Sequence, residues 1–256
     1  LKDADATAIY GSRGANGVIL ITTKKGKPGK TTVGVNFSQG VSFVTRQWDM
    51  LNTQEYVAMR KEAFKNDGDT PGPIPGRPGY APDLFAWDTT RYTNWQKYVW
   101  GGTGNWTNAQ ASVSGGTQQT TFRLSGSYGR TSDITTNSGA NQKASVGYSL
   151  TNQSKNERFM MTFNGSYNFS STNTINIGEG PQATALPPNA PPIFNKEGNL
   201  NFAEWQAGNY FLPFNGLLQP NDSRNKSLYS SLVLQYQLYK GLDVRVNMGY
   251  NNLGNV

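Results

Sequence analysis

Apolar and polar residues alternate with a period of two along most of the chain, and the alternation recurs in seven segments. In the first segment Val33, Val35 and Phe37 share one parity, and the residues between them are small or polar. Successive side chains of a β-strand point to opposite faces, so the pattern predicts strands with one apolar and one polar face. The apolar members of the later segments are Ala109, Ala111 and Val113; Phe122, Leu124 and Tyr128; Ala144, Val146, Tyr148 and Leu150; Phe159, Met161, Phe163, Tyr167 and Phe169; Leu232, Leu234, Tyr236 and Leu238; and Leu242, Val244, Val246, Met248 and Tyr250.

The lengths of the segments and of their connections predict a class of β-protein. Each segment has about the 9 to 11 residues that a tilted strand needs to cross a bilayer. Long or medium connections at residues 45–106, 131–141 and 171–225 alternate with short ones at 115–119, 152–157 and 239–241. Outer-membrane barrels have long external loops and tight periplasmic turns. We therefore expect an all-β chain that forms part of a transmembrane antiparallel β-barrel, with the long loops outside the cell.

The long connections contain local signals of their own. Asn52 followed by Glu55 forms a capping box, which predicts a helix through about Phe64. The prolines at residues 70–82 and 187–192 predict irregular backbone. The densest aromatic stretch of the first loop is a candidate contact for a ligand or partner, with burial inside a folded loop as the alternative. Its candidate residues are Trp87, Arg91, Tyr92, Trp95 and Trp100.

Aromatic residues also recur near the predicted outer ends of the strands, where barrels carry an interfacial girdle. The alternative is that aromatic residues are simply common in strands. The candidates for the girdle are Phe43, Trp48, Trp106, Tyr128, Phe169 and Tyr250.

Composition argues against an enzyme. The chain contains neither cysteine nor histidine, which excludes thiolate nucleophiles, Ser/His/Asp triads and the commonest transition-metal ligands. The carboxylates are few and dispersed, so no catalytic pair stands out, and we expect no enzymatic activity, cofactor or metal. Charged residues make up 15% and hydrophobic residues 36% of the chain, while 29 glycines and a 12% share of aromatics suit strands with one wet and one apolar face.

Charge and hydropathy limit the classes of partner and of membrane-spanning segment that the sequence predicts. The net charge is +7, and the densest basic cluster lies at residues 24–30. Because glycine and proline interrupt that cluster directly after an apolar run, we interpret it as a solvated linker and expect no nucleic-acid partner. The sequence contains no run of about 18 apolar residues and therefore predicts no membrane-spanning helix. This test does not detect membrane-spanning strands. The chain opens at Leu1 without a signal peptide, so we expect an upstream portion.

The N-terminal segment resembles a known family. Its glycine spacing matches neither a Walker loop nor a dinucleotide fingerprint, and it precedes the apolar strand at 18–21 instead of following one. Residues 1–26 resemble the plug signature of SusC/RagA-type TonB-linked outer-membrane proteins of the Bacteroidota, and weaker similarities follow at residues 51–56, 94–96, 113–116 and 191–195. The signature residues are Tyr10, Gly11, Ser12, Arg13, Gly14, Ala15, Asn16 and Gly17.

The resemblance implies a plugged barrel of about 22 strands in the bacterial outer membrane. It implies that residues 1–30 are the end of the plug and its linker, and that residues 31–256 supply about seven barrel strands. The implied function is TonB-dependent import of oligosaccharides or peptides, with a SusD-like surface lipoprotein as partner and the TonB complex reached through an upstream segment. The turn around Arg13 would lie against the inner wall of the barrel.

Water inside the barrel and lipid outside would explain the alternation. The residues predicted to face the lumen are Arg123, Asn164, Gln235, Arg245 and Asn247, and those predicted to face lipid are Phe122, Leu124, Phe163, Leu234 and Val246. Two alternatives remain open: a soluble or surface-anchored β-sandwich that binds glycan, whose apolar parity would be buried against a second sheet, and a passive porin without a plug.

Overall fold

A computed structural model describes residues 11, 18–19, 24–135, 139–175, 183–209 and 212–255. The described residues form one seven-stranded antiparallel sheet in which every strand pairs with its neighbours in the sequence. The strands are β1 (Gly29–Ser42), β2 (Gly104–Gly116), β3 (Thr120–Ser132), β4 (Ala140–Gln153), β5 (Phe159–Ile175), β6 (Pro220–Tyr239) and β7 (Leu242–Asn255).

The register places the two predicted parities on opposite faces of this sheet. Val33 pairs with Val113, which pairs in turn with Leu124 and, through it, with Tyr148. Directly opposed residues in an antiparallel pair share a face, so these four side chains lie together. We call this side the apolar face and the opposite side the polar face. The predicted all-β fold with alternating faces is confirmed.

Connections at the two ends of the sheet differ in length, as predicted. Residues 43–103, 133–139 and 176–219 connect strands at one end, which we call the loop end. Residues 117–119, 154–158 and 240–241 connect them at the other, the turn end. In the tightest of these turns Gly241 has a φ of 89°, a left-handed conformation that glycine adopts without strain.

Short helices occupy the long connections. Helix α1 (Thr53–Asp67) begins with the predicted capping box: the Glu55 amide donates to the Asn52 side chain at 3.0 Å, and the Asn52 amide donates to the Glu55 carboxylate at 2.9 Å. The helix ends at Asp67, three residues beyond the predicted end, and Gly68 is its C-cap. The other helices are α2 (Pro82–Phe85), α3 (Trp95–Trp100), α4 (Phe202–Ala207) and a 3₁₀ turn at Asn215–Leu218.

The buried core lies in the long connections and not against the sheet. Phe163 and Val246 on the apolar face are 36% and 45% exposed, and in the described part of the chain no second sheet covers them. The β-sandwich alternative is therefore wrong, because a sandwich needs two layers that share a dry centre. No helix among the described residues has the length and apolar character to cross a membrane.

Candidate functional site

The polar face gathers the five residues predicted to face a lumen. Arg123 and Asn164 belong to one row of paired residues across β3, β4 and β5, with Ser149 between them. Gln235 pairs directly with Arg245, and the Arg245 guanidinium donates to the Asn247 side chain at 3.3 Å. The structure therefore shows that these five residues share one face of the sheet. That this face lines a lumen remains a prediction.

Hydroxyl and amide side chains are among those that line two recesses in this face. One, of about 520 Å³, is lined by Arg123, Ser149, Asn164 and Tyr229, with Lys24 at its side. Another, of about 680 Å³, lies nearer the loop end and is lined by Lys143 among serines and asparagines. Such groups offer donors and acceptors to a polar solute but no nucleophile with its base.

Polar atoms in this part of the face lack partners within the described chain. The side-chain oxygens of Ser149, Thr151 and Asn164 are buried without a hydrogen bond from any described residue. Across β2 to β7 the polar face carries three cations, Arg123, Lys143 and Arg245, and one carboxylate, Asp243. The face is therefore polar and mildly basic.

Lys24 and Gly26 lie against the sheet near this site. Lys24 borders the same recesses as Arg123 and Ser125. Gly26 packs so closely on the backbone of Phe122 that a Cβ atom there would overlap the Phe122 carbonyl. Gly11 is described and exposed, whereas the other signature residues, at 10 and 12–17, lie outside the described residues. Strand β1 begins at Gly29, and assignment of residues 1–30 to a plug remains a prediction.

The described residues of the two longest connections, 43–103 and 183–219, pack together into a single unit, which we call the loop cap. Trp205 is completely buried, with its ring centroid 5.7 Å from that of Trp87 and 6.5 Å from that of Trp95. Trp95 also stacks on Phe214 at 5.8 Å. Aromatic pairs at these separations contribute beyond their buried area. The remaining buried members are Val99, Ala183, Ala190, Ile193 and Leu212.

Hydrogen bonds join the same two connections. The Trp95 indole donates to the Pro187 carbonyl at 2.8 Å, and the Thr93 amide donates to the Pro188 carbonyl at 2.7 Å. The Asn189 side chain donates to the backbone carbonyl of Asp83 at 2.7 Å. Two of the three acceptors are the Pro187 and Pro188 carbonyls, which the irregular backbone of the second connection leaves free for the first.

Within the first connection a buried carboxylate anchors α1. Asp83 accepts from the Arg60 guanidinium at 2.7 Å and from the Tyr56 hydroxyl at 3.0 Å. The Asp83 side chain is 5% exposed while that of Arg60 is 33% exposed, so water partly screens the pair. Nearby, hydrogen bonds from the side chain and then the amide of Thr90 hold the pKa of Asp88 below its ordinary value.

The predicted ligand-contact residues separate into buried and exposed groups. Trp87 and Trp95 are 5% and 4% exposed and contribute to the core of the loop cap. Arg91 forms an ion pair with Glu204 of the second connection at 3.2 Å. Trp100 is half-buried, and Tyr92, at 53% exposed, presents most of its ring to the surface. A contact with a ligand or partner stays a prediction, and Tyr92 is the residue best placed for it.

Two of the six girdle aromatics lie elsewhere than expected. Trp106 occupies the polar face, where its indole covers Gly40 on the neighbouring strand. Tyr250 pairs with Ser230 and lies in the middle of the apolar face. It is four residues along β7 from the row that contains Phe169. Tyr128 and Phe169 do share one row near the loop end, as predicted.

The contribution of the second connection to the loop cap was not predicted. Its residues Trp205 and Phe214 pack on the aromatic stretch of the first connection. Both connections fall at the same end of the alternating strands, and both are rich in aromatic residues, which is the signal that would have paired them. Among the described residues no group of three or more His, Cys, Asp or Glu side chains is placed to hold a metal ion.

Sequence relatives of this chain are TonB-dependent receptors. Receptor P3 of Formosa agariphila is 37% identical over 128 residues, and the receptor SusC of Bacteroides thetaiotaomicron is 38% identical over 129; each match covers 50% of this chain and 11% of the relative. Receptor P26 of Formosa agariphila is 27% identical over 244 residues, which is 92% of this chain and 23% of that protein. The chain thus spans about a tenth to a quarter of the length of these relatives. No protein-family profile matches it.

Solved structures share the fold over the whole chain. The RagAB peptide importer in its closed-closed state gives a TM-score of 0.71 at 21% identity, and in its open-open state a TM-score of 0.72 at 21% identity. Both matches cover 100% of this chain and 31–32% of the importer chain. Together with the sequence relatives, this likeness confirms the resemblance that residues 1–26 predict.

Proposed function

We propose that this chain, which resembles SusC/RagA-type TonB-linked outer-membrane transporters in both sequence and fold, is part of a TonB-dependent importer in a bacterial outer membrane. One observation carries the proposal: a single-layer sheet has one apolar and one polar face, with its longest connections at the same end. In a barrel wall that arrangement places lipid against one face and water against the other.

The polar face then lines the route of the substrate. Arg123, Asn164, Gln235, Arg245 and Asn247 would face the lumen, where hydroxyl and amide groups exchange hydrogen bonds with a polar solute. Oligosaccharides and peptides are rich in the same groups, so either suits this wall. RagAB, which shares the fold, is a peptide importer, and this favours peptide as the first substrate to test.

The plug would belong to the same machinery. Residues 1–30 would form the end of the plug and its linker, and residues 31–256 part of the barrel. The position of Lys24 beside Arg123, in a recess of the polar face, supports a linker on the lumen side of the wall. A pull by the TonB complex on an upstream segment would shift the turn around Arg13 from the wall and open a path for substrate.

The loop cap would be the docking surface for a SusD-like surface lipoprotein. The buried core that the two connections share would hold the loop cap in one conformation. Tyr92 and other aromatic side chains are exposed on the surface of the loop cap. Rigid aromatic groups with little entropy to lose are frequent anchors in protein interfaces. Co-purification of that lipoprotein with the full-length transporter, lost on replacing exposed loop residues, would test the assignment.

A labelling experiment tests the assignment of the faces. Asn164 and Phe163 are neighbours on β5 that point to opposite faces, so they form a matched pair. In the full-length protein in intact outer membranes, we expect Asn164→Cys to react with a small water-soluble maleimide that enters the lumen, and Phe163→Cys to react only with a reagent dissolved in the bilayer. Equal reaction of both positions with the water-soluble reagent would contradict a barrel wall.

A transport experiment tests the energy source. Cells that express the full-length protein should lose uptake of a labelled peptide pool when the upstream TonB-contacting segment is deleted, although the barrel still reaches the outer membrane. Uptake that persists without the segment would instead favour a passive pore. Immunoblotting of outer-membrane fractions provides the control for expression and localisation.

A further inference from the structure

The apolar face ends abruptly at the loop end. One row of paired residues across β1 to β6 contains three aromatic side chains, two alanines and one lysine: Phe37, Ala109, Tyr128, Ala144, Phe169 and Lys226. The next row outward on the same face is polar in all six strands: Gln39, Thr107, Arg130, Gln142, Ser171 and Arg224. On β2 to β5 the change therefore occurs between these two rows, and on β6 it occurs one row earlier, at Lys226; on β1 the apolar Val41 follows Gln39.

The height of the apolar band matches a bilayer. Along β5 the band runs from Phe159 to Phe169, which is about 33 Å at ~3.3 Å per residue. A tilt of about 40° reduces this to roughly 25 Å along the barrel axis, the height of the apolar band in outer-membrane barrels. The row that contains Arg130 and Arg224 therefore lies at the depth of the lipid headgroups.

Three cations mark this boundary. Arg130, Arg224 and Lys226 are all exposed on the apolar face. Arg224 and Lys226 are two positions apart along β6, on the same face, with about 7 Å between them. Arg130 lies in the same row as Arg224 but three strands away, at a distance of roughly 14 Å. Asp222, whose carboxylate is 3.7 Å from the Arg224 guanidinium, is the one carboxylate on this face within the described strands. Positive charge therefore exceeds negative charge at the boundary.

We propose that Arg130, Arg224 and Lys226 bind anionic phosphate groups of lipid headgroups in the leaflet on the loop side of the membrane. Guanidinium groups match phosphate oxygens in geometry as well as charge, and long cationic side chains extend from apolar surface toward headgroups. Tyr128 and Phe169, one row closer to the band, would contact the acyl chains of the same lipids. A ligand that is anionic at one end and apolar at the other is a lipid, not free phosphate.

This inference rests on the proposed membrane location and adds a ligand to it. The test uses the full-length protein in phosphatidylcholine nanodiscs prepared with and without phosphatidylglycerol, and native mass spectrometry counts the phosphatidylglycerol that stays bound. Each cation near an anionic lipid surface changes affinity by roughly fivefold. The combined variant Arg130→Gln, Arg224→Gln and Lys226→Gln should therefore retain at least about tenfold less phosphatidylglycerol.

The loop cap supplies a matched control. Lys61→Gln, Lys65→Gln and Lys97→Gln remove the same charge from exposed side chains of α1 and α3, which lie outside the strands, and retention should stay within about twofold of the wild type. Should the loop-side variant fail to fold, Lys226→Gln alone gives a milder test, with an expected loss of roughly fivefold. Inorganic phosphate added as competitor should leave the bound lipid in place.

The outcomes separate this inference from the proposed function. Equal retention by the wild type and the loop-side variant, in a protein that enters nanodiscs, would overturn the headgroup site and leave the importer standing. Displacement of the lipid by inorganic phosphate would also overturn it, because the acyl contacts would then contribute nothing. Failure of the wild type to enter a bilayer at all would overturn both.

Discussion

Replacement of Trp205 by alanine should open both long connections at once. The indole is completely buried between Trp87 and Trp95, and its N–H donates to the Pro192 carbonyl at 3.3 Å. Truncation of a buried tryptophan costs about 3–5 kcal/mol. Its buried area of roughly 150–250 Å², at about 25 cal/mol per Å², gives an upper estimate of ~4–6 kcal/mol, so the two values overlap near 4.

Amide hydrogen exchange in the full-length protein measures this opening. A loss of about 3 kcal/mol, at the low end, increases the open fraction of the loop cap by roughly 100-fold. Protection should fall in residues 183–209 and equally in residues 82–100, which belong to the other connection, while β3 and β4 keep theirs. Phe202→Ala is the matched control, because Phe202 lies in the same helix, α4, but is 39% exposed.

Exchange that rises only in the second connection would refute the shared core. So would an equal rise for Phe202→Ala, since that result would trace the effect to α4 alone. A rise that includes β3 and β4 would mean that the loop cap and the sheet unfold as one unit, contrary to the separation of the buried core from the sheet.

Three further predictions concern other contacts. Asp83→Asn should destabilise the first connection by about 1–2 kcal/mol, because Arg60 loses its ion pair but still reaches water. The rate of proteolysis within this connection measures the effect, and Glu62→Gln, at an exposed position, should change that rate little. Gly165→Ala should cost about 1–3 kcal/mol in urea unfolding, since its Cβ would overlap the Tyr148 hydroxyl, and Tyr148→Ala in the same chain should relieve part of the loss. Burial raises the pKa of the Tyr98 hydroxyl above 10.0, so the stability contributed by its neutral form is complete below pH 10 and is lost as the pH rises further. Tryptophan fluorescence should report a loosening of the loop cap at that pH in the wild type, and no such change in Tyr98→Phe.

The sheet could be predicted because its signals are local. Alternation within each strand fixes which residues share a face, and connection lengths fix which strands are joined tightly. The helix after Asn52 was predictable for the same reason, since a capping box spans only four residues. These features need no knowledge of distant parts of the chain.

The loop cap and the girdle could not be predicted in full, for two different reasons. Contacts such as Trp95 with Pro187 join residues far apart in sequence, and no periodicity encodes them. Trp106, by contrast, has the parity of the polar residues of β2, whereas Ala109 has the apolar parity. Position near a strand end suggested the girdle, but parity determines the face, and the sequence already contained that information.

The shared core of the loop cap has a consequence for the order of folding. Its hydrogen bonds connect residues separated by 92 and 106 positions, and its ion pair connects residues 113 positions apart. Closing loops of that size costs entropy before any contact repays it. The first connection therefore cannot complete its packing until residues near 183–214 reach it. An exposed set of tryptophans during that interval is a natural point for a chaperone to bind.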